Sequence, residues 1–244
     1  MTFRSSSPAN RHLTNTDLAA KQADAMTRGG VLWKFVFIFS LSMLGALYAW
    51  ITINYDQDAS YLGGSSLFAG SILLLTFTYR PRWTAALVVP YALSFGVLVG
   101  YFSIIANKIY PGIVEQAVLF SIGILAVMLF VYGTGLLKVN RVFLMRLYAN
   151  TSILMFYYLI CLVMGPGHTF TSLYYGHNIW AIALSVYALI LSSLNFPAQL
   201  ALIQAAVDRK ASKKYEWIAA TTLLTNILWL YLEVLRLSKK VRSR

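Results

Sequence analysis

Glu233 has the most chemistry to offer, because it is a carboxylate inside an otherwise apolar run, WLYLEVLRL. An ionisable side chain at membrane depth costs about 2.5–3.5 kcal/mol even on the lenient insertion scale, so such a residue is a functional candidate by default. Thr222, Asn226, Trp229, Glu233 and Arg236 recur at three- and four-residue steps, which places them on one helix face. A polar stripe of this kind turns toward a bundle interior and away from lipid. The first reading is that the carboxylate is functional there. A second reading is structural: Arg236 lies at i+3 and closes an ion pair, or the pair snorkels at an interface. The residues leave both readings open.

A second polar face runs through IWAIALSVYALILSSLNFPAQLALIQAAV, with Ser192, Asn195 and Gln199 together and Pro197 between the last two. Proline removes a backbone donor and frees a carbonyl near Ser193, so a kink is expected and the freed group needs a partner. Interhelical hydrogen bonds from Asn195 and Gln199 would act as glue, at about 0.6 kcal/mol each. The alternative is that kink and amides line a polar cavity beside Glu233. Candidate pore or gate residues are therefore Glu233, Asn226, Gln199, Asn195 and Pro197, with Glu233 and Arg236 also a candidate structural ion pair.

Other polar residues carry less. Glu115 follows Pro111-Gly112, where a carboxylate complements a helix N-terminus. Lys34 and Arg146 are expected to snorkel and are given no function. His168 and His177 sit in a loop without a nearby carboxylate, a weak pH sensor and a weaker metal site. Gly96 and Gly100 form a GxxxG pair that permits close helix approach. Cys161 is the single cysteine, so no internal disulfide or thiolate cluster is available. Nucleophilic triads, HExxH spacing, calcium loops and paired carboxylates on one helix are all missing from the sequence. No enzyme activity, metal or cofactor is expected.

The elements that must position these residues follow from composition. The 244 residues are 59% hydrophobic and 11% charged, with mean hydropathy +0.65. An ordinary soluble domain carries about 25% charged residues, so a water-soluble globule is excluded. Spans of about 20 apolar residues are predicted at Val31 to Ile51, Leu62 to Tyr79, Trp83 to Ile105, Gly112 to Leu137, Val142 to Met164, Ile179 to Val207 and Tyr215 to Leu237. Trp33 and Trp50 bracket the first, and Trp83, Trp180 and Trp217 mark the starts of the third, sixth and seventh, as interfacial anchors do.

Net charge +12 comes from Lys and Arg gathered between apolar runs, a positive-inside pattern and not a nucleic-acid footprint. Arg4, Arg11, Lys21 and Arg28, then Arg80 and Arg82, Lys138 and Arg141, and Arg209, Lys210, Lys213 and Lys214 mark cytoplasmic breaks. Asp56 and Asp58, Lys108, and GPGHTFTSLYYGH mark outer ones. Residues 1–30 read as a cytoplasmic tail, 31–237 as one seven-helix membrane domain and 238–244 as a basic C-terminal tail. That last tail disobeys the rule, since seven crossings leave Lys239, Lys240, Arg242 and Arg244 outside. Either the last helix is re-entrant or the rule is locally broken.

Two longer strings are more specific: YPGIVEQAVLFSIGILAVMLFVYGTGLLKV at Tyr110 to Val139 and KKYEWIAATTLLTNILWLYLEVLRL at Lys213 to Leu237. With the N-terminal RSSSPAN, they resemble the Bax inhibitor/YccA-like family of membrane proteins, in its bacterial branch. The resemblance covers the chain from Arg4 onward and is sharp in spans four and seven. It implies an all-α bundle of seven transmembrane helices with the last helix central. It also implies a pH-dependent leak of calcium or other cations, gated by acids facing one another on helices six and seven. Bacterial relatives further resemble modulators of a membrane-anchored ATP-dependent protease.

Carried over residue by residue, Glu233 falls on the family's helix-seven acid. The helix-six acidic motif falls on Gln199, Ala201 and Gln204, so its carboxylates are gone. The glutamate expected before Gly96 is Phe95, and Leu62 to Tyr79 holds no interior basic residue. Two close carboxylates share a proton and titrate near neutral pH, whereas a carboxylate beside an amide does not. Calcium likewise takes several carboxylate oxygens. The resemblance therefore implies a calcium or cation leak channel with weakened pH gating, in a bacterial cytoplasmic (inner) membrane with the N-terminus inside. Its alternative is a non-transporting partner, either a structural subunit of a larger membrane complex or a protease modulator. The lipid bilayer is the one obligatory partner, and no nucleic acid is expected.

Overall fold

A computed structural model of the chain describes residues 25–55, 61–79, 83–165 and 167–243. Expectations placed on Arg4, Arg11, Lys21, Asp56, Asp58, Arg80 and Arg82 lie outside the described residues. The long helices are α1 Arg28–Tyr55, α2 Tyr61–Tyr79, α3 Thr84–Ile109, α4 Ile113–Gly133, α5 Arg141–Met164, α6 Ile179–Asp208 and α7 Tyr215–Arg242. A short helical stretch, Thr169–Tyr175, joins α5 to α6. Six of these helices are long and apolar enough to cross a membrane, while the described apolar part of α2, Tyr61–Leu73, is shorter.

Local chemistry sets the ends. The Asn140 side chain accepts a hydrogen bond from the Phe143 amide at 2.7 Å, and Asn178 from the Ala181 amide at 2.8 Å, so α5 and α6 begin on side-chain caps. Gly112, at φ +79°, turns the chain from α3 into α4, and its N–H donates to Asn107 Oδ1 at 3.1 Å. That backbone conformation suits glycine alone at little cost. Glu115 is exposed in the first turn of α4, where it complements the helix dipole. The sequence places the end of this helix at Leu137, but the turn at Thr134 and Gly135 stops it at Gly133. Pro90 and Pro197 both lie inside continuous helices.

The tightest packing joins α1 to α3. A Cβ on Gly96 would fall 2.0 Å from the Ser42 carbonyl oxygen, and one on Gly45 would fall 2.4 Å from that of Leu93. Glycine on both helices thus lets the backbones touch, as the GxxxG spacing implied.

α7 packs against α1, α3, α4 and α6, and α5 reaches it through Tyr158. Of its most apolar stretch 61% is buried, against 17% in α4 and in α5. The last helix therefore lies innermost among the six. Its contacts with α1, α3 and α4 form the main core around Ile38, Val88, Ala117, Leu224 and Leu228. α7 is one uninterrupted helix through Ser238 to Arg242.

Candidate functional site

The α6 and α7 polar faces meet across a cavity of about 340 Å³. Thr84 of α3, Tyr148 and Thr151 of α5, Asn195 and Gln199 of α6, and Thr222, Asn226 and Trp229 of α7 line it. From Ile218 to Trp229 its α7 wall runs about 16 Å at 1.5 Å per residue. It therefore belongs to the end of the bundle where α3, α5 and α7 begin and α6 finishes. Among the described residues, none of its walls carries a charge.

Hydrogen bonds fix most of the polar lining. Asn195 Nδ2 donates to Thr151 Oγ1 at 3.0 Å and to the Leu191 carbonyl at 2.9 Å, so this amide does tie α6 to α5. The Thr225 hydroxyl meets the Tyr91 hydroxyl at 2.7 Å, tying α7 to α3. Asn226 Nδ2 is different: it is buried with no hydrogen-bond partner, a donor left at the cavity wall.

Glu233 lies beyond Trp229 and does not line this cavity. Its carboxylate is fully buried and accepts from Trp229 Nε1 at 2.9 Å, from the Tyr158 hydroxyl at 3.3 Å and from Arg236 Nη1 at 3.0 Å to each oxygen. The Arg236 guanidinium lies over the rings of Tyr158 and Tyr174, 4.5 and 4.4 Å from their centroids, and donates to the Tyr174 hydroxyl at 2.9 Å. The i+3 pair anticipated in the sequence is therefore formed. Of the candidate gate residues, Asn195, Gln199 and Asn226 share one cavity. Pro197 is buried within α6 between two of them, and Glu233 occupies a separate, saturated site. On α7 the amide sharing the cavity with Gln199 is that of Asn226, two turns from Glu233. Gln204, the last position matched to the helix-six acids, donates to Asp208 Oδ1 at 2.6 Å, at the helix end.

The basic C-terminus also has a local account. Lys240 Nζ donates to the carbonyls of Leu173 and Ala181 at 3.2 and 3.0 Å, and Arg242 to Pro111 O and Gln116 Oε1. Ser243 Oγ meets His177 Nδ1 at 2.6 Å. Protein acceptors hold these groups at a helix C-terminus, where cations are favoured.

A second buried carboxylate escaped the sequence reading. Glu216, in the first turn of α7, is fully buried. It accepts from the Thr27 amide at 2.9 Å, from the Thr27 hydroxyl at 3.2 Å and from Lys34 Nζ. The Lys34 ammonium also lies 5.2 Å from the Trp217 ring centroid. Gly30 makes room, since a Cβ there would come within 2.4 Å of Glu216 Oε1. Met26 N–H donates to the Ala211 carbonyl at 2.7 Å, and Ala25 bridges Ser212. The expectation that Lys34 merely snorkels is thereby corrected: the carboxylate draws it inward. The signal was slight, because Glu216 stands at the very start of the predicted seventh span, next to the basic break, and its partners lie 182 and 189 positions away.

Lys34→Met leaves Glu216 buried with only the Thr27 donors, and removing one partner of a buried pair costs about 3–5 kcal/mol. Thermal denaturation in detergent should show a clear loss, with earlier proteolysis near Met26. A variant as stable as the wild type would mean that the pair contributes nothing.

Among the described residues no group of three or more His, Cys, Asp or Glu could hold a metal ion. A family model described as Bax inhibitor 1 like matches residues 7–243. The chain matches no curated protein.

Proposed function

This chain belongs to the Bax inhibitor 1 like family, and from that premise we propose that it is a seven-crossing membrane protein carrying a cation leak pathway with weakened proton gating, and not an enzyme. The observation that carries the reading is the uncharged cavity between α3, α5, α6 and α7, with Asn195, Gln199 and Asn226 in its walls. Amide oxygens and threonine hydroxyls offer a hydrated ion hydrogen bonds without trapping it. Neither Asn nor Gln binds or releases a proton near neutral pH, so the lining supplies no proton switch. Calcium takes six to eight oxygens, several of them from carboxylates, so an amide-lined route passes it weakly and favours monovalent cations. In this reading the N-terminus, and with it the cavity mouth, faces the cytoplasm, as the positive-inside pattern of the basic breaks supports, and the membrane is a bacterial inner membrane, as the family resemblance implies.

A second reading, a non-transporting membrane partner or modulator of a membrane protease, is favoured by the saturation of Glu233. A carboxylate held by Arg236, Trp229 and Tyr158 has no lone pair set aside for a passing ion.

The test is calcium, sodium and proton flux into liposomes holding the purified protein, from pH 6 to 8. The leak reading expects a small flux that is nearly flat across that range. Steep proton dependence in the wild type would overturn the weakened gate, and folded protein with no flux would favour the second reading.

A further inference from the structure

Arg236 is an unusual ion-pair partner because three different groups recognise it at once. Its guanidinium faces two aromatic rings, those of Tyr158 and Tyr174, set edge to face at 71° with centroids 5.0 Å apart. Its Nη1 rests on both Glu233 oxygens and its Nη2 on the Tyr174 hydroxyl. Trp229 donates from the far side to fix the carboxylate. Aromatic faces joined to a carboxylate make up the chemistry by which proteins select organic cations over metal ions. A metal ion would find one carboxylate where several oxygens are needed.

We propose that Glu233, Tyr158 and Tyr174 form a binding site for a guanidinium-type organic cation, which the chain fills with its own Arg236 as a tethered ligand. The cage walls come from three separate segments, α5, the Thr169–Tyr175 stretch and α7, whereas the occupant sits one turn from Glu233 on the same helix. A pair needed only to neutralise Glu233 would not require the rings. The site also opens to the surface. Glu233 is fully buried, yet 24% of the Arg236 side chain is exposed, so shortening that side chain leaves an entrance facing the carboxylate. This inference does not rest on the leak reading, since the cage and the cavity are separate and a ligand in one needs no ion flow through the other.

The experiment is chemical rescue. Arg236→Ala protein in detergent is titrated with methylguanidinium at millimolar concentration, and Tm is followed. A saturable rise of about 5–10 °C at 100-fold over Kd is expected, with no saturable rise in the wild type, whose cage is full. Tetramethylammonium should bind more weakly because it has no N–H for Glu233 or Tyr174. Combining Arg236→Ala with Glu233→Gln should abolish the rise. If Arg236→Ala does not accumulate as folded protein, Arg236→Gln, which keeps most of the side-chain length, is titrated in its place. No saturable shift in whichever variant folds, or an equal shift in the wild type, would overturn the proposal and leave Arg236 as a plain counter-ion.

Discussion

Liposomes carrying the Gln199→Asp/Asn226→Asp double variant should show a cation flux that rises about tenfold between pH 6 and 8, where the wild type stays nearly flat. The two side chains line one cavity, so two carboxylates placed there repel one another and share a proton before the second ionisation. Below it the pair shares a proton and carries one charge. Above it the pair carries two, draws cations in and pushes its own walls apart, so flux rises with pH. Gln199→Asp alone lacks the second charge and should show a shallower profile. A double variant that is folded and flat would show that the cavity is not on the conducting route.

Much of the fold was legible because lipid leaves few solutions. Long apolar runs must become helices to satisfy their backbones, and the predicted spans overlap every long helix from α1 to α7. Helix ends were less legible. Gly135 ends α4 early through a local turn, and α7 continues through charged residues because neighbouring carbonyls accept from Lys240. The α7 stripe was read correctly as one interior face, but periodicity assigns no depth. The structure divides it between two environments, with Thr222, Asn226 and Trp229 at the cavity and Glu233 with Arg236 in the cage. The sequence named both Glu233 and Asn226 as candidates, and only Asn226 of the two lines the cavity with Gln199. Tyr158, Tyr174 and Glu216 were invisible for a common reason: each matters through partners distant in sequence, and no local spacing marks them.

Those cage partners also decide what a charge exchange would do. Swapping the ion pair, with Glu233→Arg and Arg236→Glu together, is expected to leave the protein about as destabilised as removing the carboxylate alone. For a pair valued only for its charge, the exchange would restore what either single change loses. Here the position at 233 has a sign imposed on it, because Trp229 N–H and the Tyr158 hydroxyl both donate toward it, and a guanidinium has no acceptor to offer either. The outer position has one as well, since the two rings that face a cation at 4.4–4.5 Å would instead face a carboxylate, which their negative faces repel. Breaking a buried pair costs about 3–5 kcal/mol. The partial exposure of Arg236 brings Glu233→Ala to the lower end of that range, and the swap strands the same two donors that Glu233→Ala does. Glu233→Gln should be mildest, because its amide oxygen still accepts from Trp229. In the flux assay Glu233→Gln should leave conduction close to wild type while lowering Tm, since the carboxylate lies outside the cavity. A swap that restores Tm would mean that the cage does not read the sign of its occupant. A large fall in flux without a fall in Tm would place Glu233 on the ion's path.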